Sequence, residues 1–297
     1  MKAFYLANLG RRLDLNYNFN QAVPGPGAVA PRFPLSKLAP LVVSDTYAAT
    51  DGNSNYHSLQ LSAEKRFSHG ISLLSAYTYA HSIDNVPLQQ GGGSEGPVPQ
   101  DPRYRFLDRG NSAFDVRQRY SQTFLYELPI GKGKRVNISP KWADTLVGGW
   151  QMNMILSKQT GLPFTPTLAN SVANTGTTSR PNLAGDWHIA EPTLTRWFNT
   201  DLNKAGAPWA TPAQFNFGNA GRGILRGPGR TNLDFSVLKQ FAITERFRLQ
   251  FRGEFFNLFN HPQFDLPGAS LGSPSAGTII STVGTPRDIQ GSLRLSF

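Results

Sequence analysis

From Arg287 to Phe297 the chain reads Arg-Asp-Ile-Gln-Gly-Ser-Leu-Arg-Leu-Ser-Phe. Ile289, Gly291, Leu293, Leu295 and Phe297 fall on one side at period two, and Asp288, Gln290, Ser292, Arg294 and Ser296 fall on the other. That alternation is a β-strand with one apolar and one polar face. A single strand of this kind suits the edge of a soluble sandwich as well as the last strand of a larger sheet, so the rest of the chain decides.

The same alternation recurs upstream. Phe247, Leu249, Phe251, Gly253 and Phe255 alternate with Arg248, Gln250, Arg252 and Glu254. Before a turn at Thr244-Glu245-Arg246, Leu233, Phe235, Val237, Lys239 and Phe241 alternate with Asn232, Asp234, Ser236, Leu238 and Gln240. Trp150, Met152, Met154 and Leu156 are in phase, as are Tyr120, Phe124, Tyr126 and Leu128 with Gln118 and Gln122. Further back, Leu59, Leu61, Ala63, Lys65 and Phe67 lead into the tight-turn signal Ser68-His69-Gly70. The return strand carries Ile71, Leu73, Ser75, Tyr77 and Tyr79 on one side and Leu74, Ala76, Thr78 and Ala80 on the other, and the pattern alone does not assign its faces. With a partial strand at Lys2 to Leu9, about eight strands are expected.

The connections then choose between architectures. Counted along the chain they run roughly three, thirty, twenty, seventy, five and thirty residues, short and long in alternation. Antiparallel strands place alternate connections at opposite ends of a sheet, so one end carries the shorter turns and the other the long loops. Outer-membrane barrels have this asymmetry, with short periplasmic turns and long external loops. Unstructured loops of such length are uncommon in compact soluble domains. Counting back from the last strand, 246–256, 147–159 and 71–82 ascend while 231–242, 117–128 and 57–67 descend, and every long loop lands outside. A strand of about eleven residues tilted by about 45° spans about 25 Å, the height of a barrel's apolar band.

The expected fold class is therefore all-β, an antiparallel up-and-down transmembrane β-barrel segment of about eight strands, open or incompletely closed. Leu233, Phe235, Val237, Leu249, Phe251, Ile289, Leu293 and Leu295 are expected to face lipid. Arg248, Arg252, Glu254 and Arg294 are expected to face a wet lumen. Phe67, Phe241, Phe247, Phe255 and Phe297 sit at strand ends, where an aromatic girdle belongs, and Phe297 is expected to serve as the insertion signal for the barrel-insertion machinery.

Composition sets bounds. The 297 residues contain no cysteine, which excludes a disulfide framework, a thiolate metal site and a cysteine nucleophile. The formal net charge of +10 suits an anionic membrane surface, lipopolysaccharide or an anionic ligand. The 29 glycines and 22 prolines favour turns over helices. No run approaches the roughly 18 apolar residues of a membrane helix. Met1 to Leu9 is too short and mixed for a secretory leader, so the expectation is a truncated start or else a failure of the export argument.

Three stretches carry a family resemblance. They are Asn53-Ser-Asn-Tyr-His-Ser-Leu-Gln-Leu-Ser-Ala-Glu-Lys-Arg-Phe-Ser-His-Gly with Ser75-Ala-Tyr-Thr-Tyr-Ala-His-Ser-Ile-Asp, Phe217-Gly-Asn-Ala-Gly-Arg-Gly-Ile-Leu-Arg-Gly-Pro-Gly-Arg-Thr-Asn-Leu-Asp-Phe-Ser, and Glu254-Phe-Phe-Asn-Leu-Phe-Asn-His-Pro-Gln-Phe. Together they resemble the Oar-like TonB-dependent receptor barrels of acidobacteria, over nearly the whole chain. The resemblance implies a segment of a 22-stranded transporter, with residues 1–56 a partial strand and external loop and 57–297 about seven strands. Such receptors also carry a carboxypeptidase-regulatory-like domain, a TonB box and a plug, which this sequence lacks. Coupling to TonB is therefore implied only for a full-length relative, and the substrate stays open.

His57, His69, His81, His188 and His261 show no metal spacing and are read as turn or loop residues. Gly131-Lys-Gly-Lys is read as a basic turn, because the full phosphate-loop spacing is absent. Arg222, Arg226 and Arg230 lack the interleaved aromatics of a nucleic-acid platform, so no nucleic acid is expected. Asp101, Asp108 and Asp115 lack a calcium-loop pattern and are read as solvated loop charge. No catalytic grouping is found, and neither an enzyme nor a cofactor is expected. The loops 83–116, 160–230 and 257–286 are the expected recognition surface. Two alternatives remain: a small closed barrel acting as adhesin or structural anchor, and a soluble glycan-binding β-sandwich.

Overall fold

The computed structural model describes residues 1–86, 99–244 and 246–297. Eight long strands form one antiparallel sheet in chain order. They are β1 (Lys2–Asn18), β2 (Thr46–Ser68), β3 (Ile71–Asp84), β4 (Gln118–Glu127), β5 (Trp150–Gln159), β6 (Arg230–Ala242), β7 (Arg248–Phe256) and β8 (Asp288–Ser296). Each pairs only with its sequence neighbours, apart from a two-residue ladder at Gly110–Asn111 beside β3. Such up-and-down order follows from local hairpin pairing. Among the described residues the outer edges of β1 and β8 have no strand partner, so the sheet does not close on itself.

The registers settle which side each strand shows, because directly paired residues project to the same face. Leu293 pairs with Phe251, Phe251 with Lys239, and Lys239 with Trp150. The same face then runs through Met152–Tyr126, Tyr126–Ile71, Tyr77–Leu61 and Leu61–Ala3. One apolar face thus crosses all eight strands. Ile71, Leu73, Tyr77 and Tyr79 belong to it, which assigns the strand that the alternation left open. The opposite face carries Glu64, Thr78, Arg119, Thr123, Asn153, Ser157, Asp234, Ser236, Arg252, Glu254 and Arg294, interrupted by Leu74, Leu125, Ile155 and Leu238.

Among the described residues no second layer covers the apolar face at its last strand. Ile289, Leu293 and Leu295 are 61%, 69% and 52% exposed, which would be unfavourable for a face turned to water. The soluble sandwich expected as an alternative is not what forms, since a sandwich needs a second large sheet packed on the first. A complete eight-strand barrel would need β1 to pair with β8, and it does not.

The short turns share one end. His69 (φ 52) and Gly70 (φ 79) close the β2–β3 hairpin in the left-handed conformation that a two-residue turn requires. Between β4 and β5 a short helix, α1 (Lys141–Val147), follows the basic turn at Gly131 to Lys134. Asp144 of α1 accepts from the Lys132 backbone N at 2.7 Å, which holds that turn against the helix. At the same end Lys239 lies buried, although it is in phase with the apolar face. Its Nζ donates to the Gly148 carbonyl at 2.6 Å and sits 5.3 Å and 5.0 Å from the Trp150 and Phe241 ring centres. The stem thus covers apolar surface while the ammonium reaches a carbonyl at the rim.

Several boundaries differ from the sequence reading. The first strand extends to Asn18 rather than stopping at Leu9, and the second begins at Thr46 rather than 57. Beyond Asp84 of β3, residues Thr46–Asn53 pair with β1 alone, so the first hairpin projects past the sheet as a two-stranded ribbon. Leu15 of that ribbon is buried and in phase with Leu13 and Tyr17, but its partner Thr46–Asn53 carries Tyr47 as its one large apolar residue, so that stretch resembles loop in sequence. His57 and His81 lie in β2 and β3, not in turns or loops. The fifth strand starts at Trp150, because 141–147 is helical. The Gly91-Gly92-Gly93 run and the prolines at 87 and 97 lie outside the described residues, as does Glu245 of the last turn.

Candidate functional site

The four long connections, 19–45, 85–117, 160–229 and 257–287, meet at the end opposite the short turns. Sequence reading treated them as loops, and they have little regular structure beyond two-residue ladders such as Phe164 with Leu225 and Leu168 with Leu271. They nevertheless hold the main hydrophobic cluster of the protein. Phe164, Leu168, Phe198, Trp209, Ala220, Leu225 and Leu271 are buried together, with the Phe198 ring 5.9 Å from Phe164 and 6.4 Å from Trp209. The indole N–H groups find partners, as buried ones do: Trp209 donates to the Asn199 carbonyl at 2.6 Å and Trp197 to that of Arg226 at 2.7 Å.

Hydrogen bonds fuse the four connections into one cap. Arg32 reaches the Asn174 carbonyl at 2.5 Å, and Asn174 Nδ2 returns to Gly25 and Gly27. Gln21 donates to the Gln100 carbonyl at 2.9 Å, and Gln100 donates to Gly218 at 3.2 Å. The backbone of Trp197 donates to Gly277, and that of Ile279 to Leu194.

Arginines and aspartates anchor this cap to the strand ends. Arg222 is fully buried and ion-pairs with Asp84 at the end of β3. Asp115 is buried, accepts from the Ser82 backbone N at 2.6 Å, and pairs with Arg117 at 2.9 Å and with Arg226. The second resemblance motif therefore has a structural reason. Its Arg222 and Arg226 reach buried carboxylates, while Gly218 lies so close to the Arg180 and Pro181 carbonyls that a Cβ would stand 2.2 Å from each. The third motif caps β7: Asn257 (φ 48) and Asn260 (φ 51) turn the chain, Asn257 N donates to Asp234, and Gln263 bonds both backbone groups of Thr231. The reading of Asp101, Asp108 and Asp115 as solvated charge is overturned. All three are buried and paired with Arg103, Arg180, and Arg117 with Arg226. Burying a carboxylate requires such pairing.

Within the cap lies a cavity of 560 Å³, bounded by three of the connections. Gln100, Asp101, Asp108, Arg180 and Gly218 form its buried side, while Tyr104, Leu107, Asn216 and Asn219 form an exposed rim. Phe215 and Phe217 stand between them, half-buried. Phe215 adopts φ 62, a conformation rare for an aromatic residue, held by its N–H to the Val172 carbonyl at 2.9 Å. Arg180 Nη2 donates to Asp108 at 2.6 Å, and its backbone N donates to Gln100 Oε1 at 2.6 Å. Burial raises the Asp108 carboxyl above the ordinary range, opposed by the Arg180 charge, and burial likewise lowers Arg180. The size and mixed lining match a small-molecule pocket. No group of metal-ligating side chains occurs among the described residues.

The residues expected to line a lumen are elsewhere. Arg248, Arg252 and Glu254 share the polar face with Arg294, in register with Ser296, Ser292, Gln290 and Gln250. Leu233, Phe235, Val237, Leu249, Phe251, Ile289, Leu293 and Leu295 share the other. Phe297 lies beside Phe247, ring centres 6.3 Å apart. Sequence reading missed Gln100, Arg180 and Phe215. The available signal was a set of loop aspartates, two of which, Asp108 and Asp115, pair with Arg180 and Arg226 of a distant loop.

A single up-and-down sheet with one uncovered apolar face and a polar opposite face, its long loops gathered at one end, defines an outer-membrane barrel protein. The chain matches the outer membrane beta barrel domain family over residues 1–290 and belongs to that family, which places it in the outer membrane. No curated protein and no solved structure matches it.

Proposed function

We propose that the chain is the C-terminal barrel part of an Oar-like TonB-dependent receptor, a non-enzymatic component that takes up a substrate recognised by the cap. The observation that carries the reading is the continuous apolar face across eight strands together with the fused cap at one end. In a bilayer the apolar face meets lipid, and Arg248, Arg252, Glu254 and Arg294 line the interior. The free edges of β1 and β8 point to a larger barrel, because unpaired backbone groups in hydrocarbon cost several kcal/mol each and only closed sheets span it. The short turns then face the periplasm, the cap faces lipopolysaccharide, and Phe297 is read by the insertion machinery. Coupling to TonB belongs to the receptor as a whole.

The test compares a strain deleted for the gene with one depleted of TonB, grown on sole sources of carbon, phosphate and iron. The expected result is a shared growth defect on one source. A defect that is independent of TonB refutes the receptor reading and leaves an outer-membrane barrel of another kind.

A further inference from the structure

Arg180 is out of keeping with its surroundings. Its side chain is 7% exposed, yet among the described residues only Nη2 has a partner, Asp108. Nε and Nη1 are buried with no acceptor. A guanidinium carries five N–H donors, and buried donors in native proteins are nearly always satisfied. This one lines the cap cavity.

We propose that the cavity binds a small organic anion whose carboxylate or phosphate oxygens accept from Arg180 Nε and Nη1, its apolar body lying against Phe215 and Phe217. The proposal deepens the receptor reading and rests on it for calling that anion the transported substrate. The other charges favour an anion. Both lining carboxylates are already engaged, Asp101 by Arg103 at 2.7 Å and Asp108 by Arg180 at 2.6 Å, so a cationic ligand finds no free partner. A neutral ligand fills the two donors only with ordinary hydrogen bonds, whereas charge-assisted ones are about twice as strong. The four cap connections carry 12 basic and 9 acidic side chains, which draws anions to this end. Because Nε and Nη1 are sealed from water, an anion reaches them by displacing part of the cavity wall. Tyr104 and Leu107, 54% and 58% exposed, belong to the exposed rim with Asn216 and Asn219 and have room to move.

The full chain in detergent, titrated calorimetrically with galacturonate, glucose 6-phosphate, inorganic phosphate and galactose, tests this. Expected is saturable binding of galacturonate, of glucose 6-phosphate, or of both, at least about tenfold tighter than galactose. Which acid binds identifies the anion as carboxylate or phosphate, and weaker binding of inorganic phosphate reports the apolar wall. Arg180→Lys weakens the acid about tenfold or more. Arg180→Gln alone strands Asp108, so the double variant Arg180→Gln with Asp108→Asn removes both charges together. It is expected to abolish the preference over galactose while tryptophan emission, to which Trp187, Trp197 and Trp209 of the cap contribute, stays unchanged. Binding of neither acid more tightly than galactose, no saturable binding of either acid, inorganic phosphate as the tightest ligand, or an unchanged preference in the double variant overturns the proposal. Failed binding leaves the TonB test standing, and a TonB-independent phenotype leaves anion binding standing.

Discussion

Replacing Asp115 with alanine should loosen the cap while leaving the sheet in place. Asp115 is 1% exposed at its side chain and serves three donors: the Ser82 backbone N at 2.6 Å, Arg117 Nε at 2.9 Å, and Arg226. Removing one partner of a buried ion pair costs about 3–5 kcal/mol. Arg117 and Arg226 are 30% and 26% exposed and regain some hydration, so the lower end, about 3 kcal/mol, is expected. Asp115→Asn keeps an acceptor for Ser82 and should cost roughly half as much. The assay is hydrogen exchange read by mass spectrometry, with the protein in detergent. Opening by about 3 kcal/mol corresponds to an increase of about a hundredfold in exchange. It should appear in peptides covering 108–117 and 222–227 and be absent from β6 and β7. Unchanged exchange at 222–227, or an equal rise across all eight strands, would show that Asp115 does not hold the cap to the strand ends.

Two further outcomes test packing. Gly161→Ala sets a Cβ 1.8 Å from the Gly227 carbonyl and should destabilise the cap by about 1–3 kcal/mol, whereas Gly291→Ala on β8 meets nothing within 4 Å and should be nearly silent; thermal melts followed by tryptophan emission distinguish them. Lys239→Met keeps the bulk but loses the bond to Gly148, so trypsin should cut at Lys141 roughly tenfold faster, with the cap unaffected.

The sheet was legible because a period of two is local: Leu293, Phe251 and Val237 each announce a face within a few residues. The side shown by Tyr77 was not, since it depends on pairing with Leu61 and Tyr120 across neighbouring strands. The ribbon at Thr46–Asn53 escaped notice because Tyr47 is its one large apolar residue, so no alternation marks it although its partner strand buries Leu15. The cap was the least legible part. Phe164, Trp209, Leu225 and Leu271 come from separate stretches without any period, and Arg180 finds Asp108 across 72 residues of chain. The aspartates were misread because a loop position suggests solvent, and only the distant arginines reveal that they are buried.

The fused cap bears on how such a protein can change what it recognises. Where each external loop stands alone, one can be lengthened or exchanged and the others ignore it. Here Trp197 is tied to Gly277, Gln100 to Gly218 and Arg32 to Asn174, so transplanting residues 160–229 by themselves would break ties in all three remaining connections. New specificity in this architecture has to arrive as small side-chain changes around the cavity wall, or as a graft of all four connections at once.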